Sequence, residues 1–284
     1  MKRILIIAGI WGISISAIAQ TTGNKRTIDN ASIRCYYLFN KKKEATDKAF
    51  RSDTMVLYIG AKASKFYDPA RLGRDSMLTA KIKNMDTQTI KSMNIYKADS
   101  GKDFSNMPGT TSSSTAEGES YQIIKDKLTH KINVLDYPAV MGDRFQYEDE
   151  LGTLPWKISD NTDTIASYVC QSATLTFRGR DYKAWFTTDI PVNDGPWKFS
   201  GLPGLILKIE DTKDLFSFTL IGLEQLKVAV PIQIDDAKAI KCSRADFEKL
   251  RKKQGGGMQI NFNAGNVIIA ETAREFEYIP MEIE

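Results

Sequence analysis

The sequence predicts a mainly β protein with an antiparallel sheet and one or two short helices. Three observations carry this. Residues 165–187 and 205–220 alternate apolar and polar side chains with period two around polar turns. Helical spacing is confined to 76–93 and 244–253. The chain has 284 residues, 42% hydrophobic and 26% charged, which excludes collagen-like, coiled-coil and wholly disordered classes.

From the N-terminus, Lys2-Arg3, the apolar run Ile4–Ile15 and the small-x-small triplet Ala17-Ile18-Ala19 have the form of a cleaved export signal. The run is shorter than the roughly 20 residues a membrane span takes. The expected organisation is a signal peptide over 1–19 and a single β-rich domain over 20–284. No mature stretch approaches a transmembrane helix. The expected address is outside the cytoplasm: periplasmic or extracellular, with the outer membrane as one setting.

Residues 20–30 are polar and expected to fray. Ala31–Phe39 and Met55–Ile59 read as strands, 61–75 as a connection, and 76–93 as a helix, with apolar residues three to five apart. The Gly, Thr and Ser content of 106–119 predicts a mobile loop. Tyr121–Ile124, Thr129–Asp136 and Phe145–Tyr147 read as short strands. Ile165–Arg178 reads as one long or bulged strand, with Ala173, Leu175 and Phe177 on one face; it turns at Gly179–Asp181 and returns through Lys183–Thr187. A plainer hairpin joins Leu205–Ile209 to Phe216–Leu220 through Asp211–Asp214. Pro231 makes Lys227–Ile234 an edge or bulged strand. Ser243 and Asp246 resemble a capping box for a helix over 244–253, with Phe247 and Leu250 inward and Gly255–Gly257 ending it. Val267–Ala270 and Phe276–Ile279 are expected to close the sheet.

The chemistry-bearing residues are sparse. A single histidine excludes a multi-histidine metal site in a monomer and rests any Ser-His-Asp triad on His130, which reads as solvent-facing in a strand. There is no CxxC pair, phosphate-binding glycine loop, nucleophile elbow or metal-ligand spacing, so no catalytic residue, metal or cofactor is assigned. Cys35 and Cys170 read as buried thiols, and with Cys242 they make an odd count. The net charge of +4 includes Lys2 and Arg3 of the signal, so no nucleic-acid partner is expected. Asp189, Asp194, Glu210 and Asp211 are candidates for acid–base pairs, a proximity that 35 acidic residues produce by chance. Arg178, Arg180 and Asp181 read as a surface ion network.

Residues 185–211, WFTTDIPVNDGPWKFSGLPGLILKIED, closely resemble a secreted, uncharacterised family of Bacteroidota named for its GLPGLI motif, here Gly201, Leu202, Pro203, Gly204, Leu205 and Ile206. The pattern extends through Cys170, Ala173, Phe177, Gly179 and Arg180, with Trp156 ahead of it; Ile279-Pro280-Met281-Glu282 is a looser version of the family's ending. The resemblance implies export, no established activity, and a curved antiparallel half-barrel like that of periplasmic lipoprotein carriers.

The reading is an exported, non-enzymatic envelope binding protein with a lipid or acyl-chain ligand. The alternative is an envelope protein–protein interaction module, and a hydrolase comes third. Trp185, Trp197, Phe199 and Leu202 are the candidate binding residues. The competing reading makes the same block a structural corner: Pro203 fixes its own φ, and Gly201 and Gly204 supply conformations other residues resist. Leu205, Leu207, Phe216 and Phe218 line either a closed core or a cavity.

Overall fold

The structure is a computed structural model. It describes residues 25–42, 45–46, 48–84, 91–97, 118–136, 143–150, 152–236, 238–253, 258–263, 266–271 and 279–283. In chain order the elements are β1 (Arg26–Lys42), β2 (Phe50–Gly60), β3 (Ala63–Tyr67), α1 (Pro69–Lys83), β4 (Ser92–Lys97), β5 (Tyr121–Asp126), β6 (Lys131–Asp136), β7 (Arg144–Glu150) and β8 (Lys157–Ile165). There follow β9 (Tyr168–Phe177), β10 (Arg180–Thr187), β11 (Leu205–Asp211), β12 (Phe216–Ile234), β13 (Ala239–Lys241), α2 (Arg244–Lys253), β14 (Met258–Asn263) and β15 (Asn266–Glu271).

Twelve strands form one curved, unclosed sheet in the order β13-β7-β6-β5-β3-β2-β1-β12-β11-β10-β9-β8. It is the mainly β, half-barrel-like form expected. All its pairings are antiparallel except β13 with β7. A separate three-stranded sheet has the order β14-β15-β4, with β15 and β4 parallel; Val267–Ala270, expected to close the main sheet, form part of β15 here instead.

The inward faces follow from period-two alternation. Cys35, Tyr37 and Phe39 of β1, Met55 and Leu57 of β2, and Phe66 of β3 meet Leu205, Leu207, Phe216 and Phe218 in one cluster. Phe39 stacks on Phe218 at 4.4 Å, and Phe66 meets Phe218 edge-on at 5.7 Å. The hairpin turns behave as their sequences ask. Asp211 Oδ1 accepts the amides of Leu215 and Phe216, which seats the 211–214 turn. Arg178 and Gly179 take φ of 44° and 77°, the two left-handed residues of a tight hairpin turn.

Several expectations are corrected. The stretch 61–75 contains β3 and the start of α1. Asp68 caps this helix by accepting the Arg71 amide at 2.9 Å, with Pro69 at the first helical position. The helix therefore begins earlier than predicted and ends at Lys83. The expected strand 165–178 is found as β9 but starts at Tyr168, because Ala166-Ser167, both with positive φ, turn the chain back from β8, a strand the sequence reading did not include. The pairing of β1 extends back to Arg26. His130 lies in a turn and is exposed. The predicted α2 is found over the expected residues, with Ser243 Oγ accepting the Asp246 amide and Phe247 buried. The loop over 106–119 lies outside the described residues up to 117, as do the 255–257 glycines and 276–278.

Pro231 acts as its sequence position implies. The β12 strand pairs with β1 along its length but with β11 only at Ser217–Thr219, so its far part has one free edge. Between Ala31↔Val230 and Ile33↔Gln225, residues 226–229 of β12 face a single residue of β1. This bulge leaves Val228 79% exposed. Beyond it the ribbon reaches the outer face of the sheet, where Ile234 packs with Ile124 and Leu135.

Candidate functional site at the seam of the half-barrel

The connection 188–204, which holds the motif, fills the concave side. Phe199 meets Tyr182 of β10 at 4.8 Å and Trp197 meets Phe177 of β9 at 6.0 Å. From the other half of the sheet, Lys125 of β5 donates to the carbonyls of Gly195 (2.6 Å) and Phe199 (3.1 Å) and pairs with Asp194 at 2.5 Å. Buried Asp194 would be driven toward neutrality, but Lys125 and Lys127 outweigh burial and keep its carboxyl below the usual range. Trp197 itself has φ +53°, a left-handed conformation held for a large side chain by the packing around it.

The motif glycines have two different reasons. Gly201 takes φ +100°, which other residues resist. Gly204 lies so close to β10 that a Cβ would stand 1.9 Å from the Thr187 carbonyl oxygen. Pro203 and Leu202 complete the bend into β11, and Leu202, Leu205 and Ile206 are buried with it. The four candidate binding residues, Trp185, Trp197, Phe199 and Leu202, are all buried in the main core.

Where β7 and the β9–β10 hairpin approach across the open side, a polar cluster bridges the sheet. Arg178 makes two bonds to Asp149 of β7, at 2.6 and 2.7 Å. Its Nη1 also donates to Glu282 at 2.7 Å, and Lys198 donates to Glu282 (2.6 Å) and Asp149 (3.1 Å). The segment 279–283 is bound into this seam. Arg180 donates twice to the Pro280 carbonyl, Tyr182 Oη donates to the Met281 carbonyl at 2.7 Å, and the Ile283 amide donates to the Arg178 carbonyl. The expected surface network is thus corrected: Arg178 is half-buried and Arg180 buried, and both hold this segment, while Asp181 stays outside with Thr176.

A second cluster lies alongside. Glu119, 4% exposed, is met by Arg51 at 2.5 Å, Lys41 at 3.5 Å and Arg251 of α2 at 3.6 Å. Arg251 also pairs with Asp136 of β6 at 2.7 Å. Burial alone would raise the Glu119 carboxyl, but the three cations outweigh it and bring it to about 2. Burial likewise opposes ionisation of Asp149, and Arg178 with Lys198 takes it to about 2.

Between the clusters lies a small cleft of about 40 Å³, open to solvent. Tyr147, Trp197 and Phe247 give it aromatic walls, and Lys198, Glu119 and Glu282 give it charge of both signs. Of the acid–base candidates, Asp189 is exposed, Asp211 caps its turn and also meets Arg180 at 3.7 Å, and Glu210 meets Lys208 at 2.7 Å. Asp194 is held by lysines, and no two of the four are brought into contact. Among the described residues no group of three or more His, Cys, Asp or Glu is placed to hold a metal ion. Sequence reasoning passed over Glu119, Asp149 and Lys198 as functional positions. One signal was available: a lysine between Trp197 and Phe199 in a buried run needs an acidic partner.

Residues 178–208 match the family described as "Protein of unknown function (Porph_ging)". The motif Gly201–Ile206 lies inside the match, which does not confirm the GLPGLI name. No curated protein matches the chain. Among solved structures, the chain is similar to PNGF-II in one crystal form, with TM-score 0.50 and 11% identity over 82% of this chain and 35% of that one. A second crystal form of PNGF-II gives 0.48 at 11% identity, with the same coverage. At this identity the likeness is one of fold, and the chain spans about a third of the length of PNGF-II (35%). The block of closest similarity to a known family, 178–208, is therefore the block that builds the seam, and the family it matches is one of unknown function.

Proposed function

We propose that the chain is an exported cell-envelope binding protein whose ligand enters the cleft at the seam. The observation that carries this is the cleft's lining: aromatic walls from Tyr147, Trp197 and Phe247, with the buried ion pairs of Lys198, Glu119 and Glu282 among them. Small-ligand sites combine mostly apolar walls with a few placed polar groups in this way. The middle of the half-barrel is filled by Phe39, Phe66, Phe199 and Phe218 and the cleft holds only about 40 Å³, so the ligand's apolar part is a short acyl end rather than a ring or a long chain. Its polar head meets groups already paired with one another, which favours a head of low net charge.

Two observations weigh against the protein-interaction reading. Of the sheet's two terminal strands, β8 carries Asp160 and Asp163 and a bulge between Ile158 and Thr162, both devices that discourage strand addition, and β13 is only three residues long. The aromatic turns are buried. Acid–base catalysis finds little support either, because a carboxyl near 2, as at Glu119, is a fixed charge at neutral pH.

Native mass spectrometry of protein purified from its own envelope tests the proposal, with N-terminal sequencing of the same sample. A start at Gln20 and a near one-to-one adduct that Phe247→Ala releases are expected. A clean apo mass, with no binding of short acyl ligands at about 100 μM, would move the reading to the interaction module.

A further inference from the structure

We propose that the seam is a recognition groove for an extended peptide bearing one acidic residue, and that residues 279–283 are its resident, displaceable occupant. This stands on the seam's own contacts, although Lys198 and the segment's Ile279, Met281 and Glu282 also line the cleft.

The groove is built before the segment is considered. Arg178 and Lys198 lie against the single carboxylate of Asp149. Lys198 is 1% exposed and the Arg178 side chain 17% exposed. Two cations facing one carboxylate leave a buried charge in need of an anion, and buried charges are costly unless paired. Glu282 supplies that anion: it meets Lys198 at 2.6 Å and Arg178 at 2.7 Å, with Arg244 of α2 at 3.7 Å.

The remaining contacts read main chain rather than side chain. Arg180 forks onto the carbonyl of Pro280, Tyr182 donates to that of Met281, and the Arg178 carbonyl accepts the Ile283 amide. Any peptide presenting a carboxylate two residues after its first anchored carbonyl meets the same donors. This is the logic by which arginine clusters take acidic motifs. The segment belongs to no strand or helix, so its departure breaks no ladder; what it gives up is the core packing of Ile279 and Met281. Its departure would also remove Met281 and Glu282 from the cleft wall.

The test uses the full mature chain and a labelled, end-blocked peptide Ile-Pro-Met-Glu-Ile. In Glu282→Gln the resident segment is weakened, and the peptide is expected to bind at least about tenfold more tightly than to the wild type. The same peptide with Gln in place of Glu is expected to bind Glu282→Gln about tenfold less tightly than the Glu peptide does. A folded Glu282→Gln that fails to bind, or that takes both peptides equally, overturns the proposal. Should Glu282→Gln not fold, amide exchange in the wild type decides. The Ile283 amide is expected to exchange at least about tenfold faster than the β9–β10 ladder, through local opening. Exchange at the ladder's rate would mean the segment leaves only on global unfolding, and would overturn the proposal as well.

Discussion

Replacing Gly204 by Ala is the sharpest test of the corner. The added Cβ would stand 1.9 Å from the Thr187 carbonyl oxygen, 2.6 Å from its carbon and 3.1 Å from the Thr188 nitrogen. All three are backbone atoms, so no side chain can swing aside. Ordinary contact begins at 3.4 Å, so the start of β11 and the end of β10 must part by about 1.5 Å. Two hydrogen bonds lie beside that point, Leu205 N to Ile190 O and Ile206 N to Asp194 O, each 3.0 Å. Overpacking typically costs about 1–3 kcal/mol. Losing each bond adds about 0.5–1.5 kcal/mol. The expected destabilisation is therefore about 2–6 kcal/mol. Urea unfolding of the mature chain, followed by tryptophan fluorescence and extrapolated linearly, measures it. Gly73→Ala is the control: it lies in α1 with nothing within 4 Å of the new Cβ, and a gain of about 0.5–1 kcal/mol is expected. A Gly204→Ala protein within about 0.5 kcal/mol of wild type, with an unchanged denaturant slope, would refute the close-approach reasoning.

Three further outcomes are expected. Glu119 and Asp149 titrate near 2 in the folded chain against ordinary values of 4.5 and 3.8, so their stabilisation is complete above the ordinary values and fades as pH falls toward 2; Glu119→Gln should flatten that loss in a pH series of urea unfolding curves. Burial pushes the Cys35 thiol up to about 12 and raises Cys170, so alkylation of the folded protein should modify the partly exposed Cys242 first; rapid labelling of all three with the near-ultraviolet circular dichroism intact would contradict this. Trp197→Ala should cost about 3–5 kcal/mol as a large-to-small core change, whereas lost ligand binding at an unchanged thermal midpoint would restore Trp197 as a binding residue.

The hairpins 168–187 and 205–220 were legible because one face of each strand is core and the turn residues between them are polar, so the period-two signal is strong. The helix α2 was legible from its capping box. The strand β8 was not, since Lys157–Ile165 is an exposed edge whose burial pattern carries almost no alternation. The start of α1 was hidden because Asp68-Pro69 reads equally as a turn and as a cap followed by the first helical residue. The seam was the least legible part. Its partners, such as Asp149 with Arg178 and Lys198 with Glu282, come from distant parts of the chain, and pairing at that distance leaves no local periodicity. What the sequence did show was the motif block; its role as a wedge between sheet halves rests on Lys125 reaching Gly195 and Phe199, which no spacing encodes.

The pairing of β1 with β12 also dictates an order of events. Arg26 lies opposite Ile234 and Lys41 opposite Phe216, so the first strand of the sheet waits for one of its last. A chain emerging from its N-terminus can assemble the run β1-β2-β3-β5-β6-β7 from neighbours, because each of those pairings is sequential apart from the step over α1 and β4. Throughout that interval one side of β1 presents unpaired amides and carbonyls beside Tyr37 and Phe39, an adhesive edge of the kind that recruits foreign strands. Closing it requires a long-range encounter, and such encounters are slow. The half-finished sheet is thus open to aggregation along β1, and a holding factor that shields β1 until Phe216 arrives is expected to raise the yield of folded protein.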